Sequence, residues 1–177
     1  MKAVYKLMVA LTCAFGLPVL CQPALAQDVS APANSGNVAL AAEFEPDPRV
    51  TLVMSGGPID ISNSIPECQG YASSAPVVRL NYAANPGPAA LPLFIHAFSK
   101  GDTMLLVNAP DGNWYCNDDG FNAQNPMLIF GPAMTGTYEI WLGSFQPGEA
   151  HEAFLIFSEV GAAIEGLEAE LGRKDGR

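Results

Sequence analysis

The residues best equipped for chemistry crowd into one short run, "NAPDGNWYCNDDG", from Asn108 to Gly120. It holds three aspartates, a cysteine, a tryptophan and a tyrosine. Asp118 and Asp119 are adjacent carboxylates, which repel one another unless water or a cation neutralises them. Asp102 stands just before the preceding strand, so a chain reversal would carry it toward them. With Asn117, Asn122 and backbone carbonyls they make a set of hard oxygen donors, the set calcium requires. The candidate cation ligands are therefore Asp102, Asn117, Asp118 and Asp119. A solvated acidic turn, with Asp118 or Asp119 capping backbone amides, is the competing reading. The regular donor spacing and closing glutamate of an EF-hand loop are missing.

Within the same run, Pro110-Asp111-Gly112 has turn chemistry. Proline presets its φ, aspartate bonds to its own backbone, and glycine accepts a positive φ. Thr103–Val107 is thus expected to fold back into Asn113–Cys116 as a hairpin. Trp114, Tyr115 and Phe121 flank the acidic residues. They form a candidate contact surface for a partner, or else pack over the edge of the fold.

Catalytic alternatives are thin. A nucleophilic hydrolase needs a nucleophile, a base and an orienting acid. The chain has only two histidines, His96 inside an apolar run and His151 beside Glu152, and no Gly-x-Ser-x-Gly elbow. Ser55-Gly56-Gly57 reads as a strand-ending turn. The two histidines lack the spacing of a zinc site. A pair of carboxylates, Asp118 with Glu139 or Glu152, would suffice for a small glycoside hydrolase, which is the alternative to a non-catalytic module.

The elements that must position these groups follow from the rest of the chain. Residues 1–26 have Lys2 and Lys6, an apolar run from Leu7 to Leu20, and Ala24-Leu25-Ala26, the marks of a cleaved export signal. No later segment is apolar enough for long enough to cross a bilayer as a helix. The expected location is periplasmic or secreted. Downstream of the signal six basic residues face eighteen acidic ones. That excess repels nucleic acid phosphates and anionic lipid.

Cys13 and Cys21 fall in the signal, leaving Cys68 and Cys116. In an oxidising compartment an isolated pair is most simply one disulfide; two free thiols or a metal pair are the alternatives.

Residues 27–43 are small and polar and read as a flexible leader. From Phe44 to Glu159, short runs rich in Val, Ile, Leu, Phe and Tyr alternate with Gly, Pro, Asn and Asp clusters. That predicts an all-β, antiparallel β-sandwich. Expected strands are Arg49–Met54, Val77–Tyr82, Leu93–Phe98, Thr103–Val107, Met127–Phe130, Thr137–Leu142 and Ala153–Ser158. Trp141 is expected to be packed rather than presented. The tail, 160–177, spaces Val160, Ile164, Leu167 and Leu171 as on one helical face, with Gly172 as the stop. It would pack on the sheet or dock onto another protein.

The segment from Asp102 to Phe145 resembles the pre-peptidase C-terminal (PPC) domain family. The resemblance rests on Asp102 opening a strand, Gly112 in the turn, Asn117-Asp118-Asp119, the apolar strand Met127–Phe130, and Gly136-x-Tyr138-x-Ile140. It implies a β-sandwich of jelly-roll type, calcium near the acidic loop, and an accessory rather than catalytic role. On this reading the chain is a stand-alone exported module that binds a protein or glycan partner.

Overall fold

The computed structural model describes residues 26–87, 90–120 and 125–175. The signal reading on residues 1–25, and Phe121 and Asn122, lie outside the described residues.

The structure is an all-β sandwich of two sheets with one C-terminal helix. Its elements are β1 (Asn37–Ala41), β2 (Arg49–Met54), β3 (Ile59–Asp60), a 3₁₀ turn (Ile61–Asn63), β4 (Tyr71–Ala72) and β5 (Val78–Ala83). They continue with β6 (Leu93–Ser99), β7 (Thr103–Asn108), β8 (Trp114–Asn117), β9 (Met127–Phe130), β10 (Gly136–Ser144), β11 (Glu152–Ser158) and α1 (Gly161–Asp175). The seven strands expected from alternation are all present, with ends shifted by at most two residues, and Trp114–Asn117 is the expected return strand of the hairpin.

One sheet is built around the long strand β10. β10 pairs with β5 and β4 along one edge and with β7 along the other; β8 extends beyond β7, β1 beyond β5 and β3 beyond β4. The second sheet has the order β2-β11-β6-β9, so Leu93–Ser99 is an interior strand as its two-sided apolar pattern implies. Between the sheets lies the main core. Leu80, Leu105, Tyr138, Ile140 and Leu142 meet Ile95, Leu155, Phe157 and Phe130 there.

Three expectations need correction. Residues 27–43 do not form a flexible leader. β1 pairs in parallel with β5, from Asn37↔Arg79 to Ala41↔Ala83. The Arg79 guanidinium holds the segment ahead of it, with Nη2 donating to Val29 O at 2.9 Å and Ala31 O at 3.1 Å. The same side chain pairs through Nε with Glu139. A planar fork with several fixed donors thus satisfies backbone that composition alone leaves free. The second correction follows: one pair, β1·β5, is parallel. It closes by the long excursion through β2, β3 and β4 that such pairing needs.

The tail is helical, but Gly172 does not stop it; the helix runs on to Asp175. Ile164 is buried and Gly161 lies against Phe94, so the helix covers part of the outer face of the second sheet. Val160, just ahead of the helix, stays exposed.

Candidate functional site

β7 and β8 form the expected hairpin, in register from Leu105↔Asn117 to Asn108↔Trp114. The Gly112 amide donates to Ala109 O at 2.8 Å and Ala109 N–H to Asn113 O at 3.0 Å. Gly112 has φ +78°, the conformation glycine tolerates at no steric cost. Asp111 stays in the turn: Oδ1 accepts from Asn113 N–H at 3.0 Å, and Oδ2 from Asn113 Nδ2 and the Tyr115 hydroxyl, both at 2.8 Å. Those donors hold its carboxyl below the usual range. The first aspartate of the run is therefore a turn residue.

The other end of the hairpin gathers charge. Burial pushes the Asp102 carboxyl up, and the neighbouring Asp119, Asp118 and Glu149 push it further in that order; His151 works the other way. The reversal thus brings Asp102 beside Asp118 and Asp119, as the spacing predicts. Asn117 is employed differently: its Oδ1 accepts from the Met127 amide at 3.0 Å, tying the end of β8 to the start of β9. Among the described residues no three His, Cys, Asp or Glu side chains converge as a metal-holding group. The residues fit a cation as charged neighbours, with Asn117 already committed, and not as a formed coordination shell.

Cys68 and Cys116 are joined, with Cα atoms 5.9 Å apart. The link staples the 59–72 segment over the outer face of the first sheet. Ile61, Cys68 and Ala72 from that flap enclose Met104, Leu106 and Trp141, a second small core. Trp141 is fully buried, its Nε1 donating to Ser74 O at 3.1 Å. That is the packed role expected of it.

Trp114 and Tyr115 are half-buried. Trp114 lies on Trp141, ring centroids 5.2 Å apart. Tyr115 meets Phe130 edge-on at 5.3 Å. Both rings are used in packing, leaving only their rims to a partner. Phe121 lies outside the described residues. Of the histidines, His96 is buried with Nδ1 3.0 Å from Pro126 O. His151 Nε2 is 3.1 Å from Glu149 Oε2. Its ring lies against Gly101, where a Cβ would collide with it.

Sequence reasoning missed the flap and the cleft beside it. A cleft of about 380 Å³ is lined by Asp60, Gln69, Tyr71, Phe145 and Gln146. Two-residue strands such as β3 and β4 carry no periodicity, so the segment reads as a loop. The signal available was Asp60, which caps the 3₁₀ turn through Ser62 N–H at 3.0 Å.

A scan against protein-family models finds no match for this chain, and a search of curated proteins finds none.

Proposed function

We propose that the protein is a non-catalytic, exported β-sandwich module that binds a protein or glycan partner at its stapled end. The observation that carries this is the cleft between the flap and the β10–β11 loop. Tyr71 and Phe145 supply aromatic surface there, and Asp60, Gln69 and Gln146 supply short polar contacts. Such a mix suits sugar hydroxyls or a polar peptide. The disulfide next to it keeps the flap in place before a partner arrives, which lowers the ordering cost of binding. The resemblance to the PPC family points the same way, toward an accessory domain of jelly-roll type.

Calcium belongs to this reading in a narrower role. Asp102, Asp118 and Asp119 share a corner whose repulsion a divalent ion would reduce.

The test is a glycan array together with capture of exported proteins, comparing the wild type with Phe145→Ala and Gln146→Arg. Loss of one specific interaction in both variants, at unchanged melting temperature, is the expected result. Turnover on a panel of glycosides that disappears in Asp118→Asn at unchanged stability would replace the module with a hydrolase.

A further inference from the structure

Among the described residues strand β2 ends the second sheet, and it is an edge without the usual protection. Arg49-Val50-Thr51-Leu52-Val53-Met54 has one charge, no proline and high β-propensity. Natural edges are blunted by charges, proline, bulges or cover, because open N–H and C=O groups template another strand. Here Leu52 is 58 % exposed, Met54 54 % and Val50 37 %.

The hydrogen-bond phase shows which backbone groups are open. Ser55 N–H donates to His151 O, so the odd residues of β2 face β11. Ala97 N–H donates to Pro126 O on the far side of the sheet, and counting across β6 and β11 gives the same phase. The free edge is therefore lined by the amides and carbonyls of Val50, Leu52 and Met54. These are the same residues whose side chains are exposed on the outer face.

We propose that β2 pairs with β2 of a second copy of this chain, antiparallel, about a two-fold axis at Leu52. The phase restricts the choice of register. Only even residues can face even residues. A two-fold at Thr51 would place Met54 opposite Pro48, which has no N–H to give. A two-fold at Leu52 sets Leu52 opposite its own copy and Val50 opposite the other copy's Met54. Every open group is then used. Arg49 falls opposite Ser55, so no like charges meet directly. The outer-face row Phe98–Phe154–Leu52, fixed by the β6·β11 and β11·β2 registers, continues into its own mirror sequence across the axis. Both phenylalanines are half-buried. A groove of about 470 Å³ lined by Leu52, Phe98 and Phe154 opens on that row, giving the partner's Leu52 somewhere to pack. α1 covers the other end of the face and leaves this row open.

The interface is small. One six-residue edge with its flanking row buries roughly half of the ~800 Å² per partner found in standard complexes, so the dimer is expected to be weak and concentration-dependent.

Light scattering on the mature, oxidised protein from about 20 µM to about 1 mM tests this, a range that spans the association expected of so small an interface. The mass should rise toward twice the monomer. Leu52→Lys should remain monomeric across the range with an unchanged melting temperature. Leu52→Pro should do the same, because it removes only an edge-facing donor. If the proline variant fails to fold, the lysine variant still decides. Register is read by oxidation. Leu52→Cys should cross-link to its own copy, since facing Cα atoms in such a pair lie about 5.5 Å apart. Val50→Cys should not. A monomer at the highest concentration, a dimer untouched by Leu52→Lys, or equal cross-linking of both cysteine variants would overturn the proposal.

Discussion

Two groups of carboxylates in this molecule have opposite surroundings. Where β11 meets α1, Asp47 and Glu159 are each fed by two donors. Asp47 Oδ1 accepts from Ser158 Oγ at 2.5 Å and Oδ2 from Glu159 N–H at 2.9 Å. Glu159 accepts from the Tyr82 hydroxyl and, at 2.7 Å, from Glu43 N–H. Burial and the hydrogen bond to Glu159 both push the Tyr82 hydroxyl well above its ordinary range, so it stays protonated and keeps donating. At the β7–β8 corner, the carboxylates of Asp102, Asp118 and Asp119 receive no hydrogen bond from the described residues, and Asp119 and Asp118 act on Asp102 instead. The first group is a latch that ties the β1–β2 connection to the end of β11. In the second, Asp102 is ionised against burial and its acidic neighbours, and the corner is held by a covalent link. The contrast separates acid used for architecture from acid left for solvent, ions or a partner.

The sharpest way to break that comparison is to remove the covalent link. Its loop spans 48 residues, and constraining the unfolded chain over that length contributes about 4 kcal/mol. Cys68→Ala with Cys116→Ala, or reduction, should lower unfolding free energy by about that much in urea titrations. The flap, 59–72, should become exchange-labile first, since its small core depends on being held down. If the latch region loses amide protection before the flap does, the division of labour between the two regions is wrong.

Next in size is the latch. Glu159→Ala leaves the buried Tyr82 hydroxyl and the part-buried Glu43 amide without their acceptor. Unsatisfied groups of that kind cost about 2–3 kcal/mol together. Thermal melting should show the loss, and Tyr82→Phe should cost less because only one bond goes. Equal costs for the two variants would mean that the Glu43 bond contributes nothing.

How much of this was legible beforehand differs between the two regions for a physical reason. The corner is local in sequence. Pro110-Asp111-Gly112 specifies its own turn, and alternation in Thr103–Val107 specifies the strand that brings Asp102 round. Counting cysteines outside the expected export signal leaves one pair. The latch is not local: Glu159 meets Tyr82 across 77 residues and Glu43 across 116. Nothing near Glu159 in the sequence separates it from Glu152, which is exposed. β1 was hidden for the same reason. Its small residues acquire a role only through β5 and Arg79, both far along the chain. Asn117 shows the limit within the corner itself: its type suits a cation, yet its oxygen serves the Met127 amide ten residues on.

The smallest expected effect sharpens the comparison most, because its sign differs between the two regions. Asp102→Asn removes a carboxylate whose proton affinity is raised in the folded state by burial and by Asp119 and Asp118. A carboxyl with a raised folded pKa destabilises the fold when ionised; the penalty is fully present above the folded pKa and fades as the pH drops through it. In chelator at neutral pH, Asp102→Asn should therefore melt slightly higher than the wild type. Below the ordinary carboxylate range the two should converge. Added calcium should raise the wild type and leave Asp102→Asn behind, reversing their order, if the corner takes up the ion. An identical order with and without calcium removes the ion and keeps the repulsion. A variant that melts lower in chelator at neutral pH removes the repulsion too, and makes the corner a second latch.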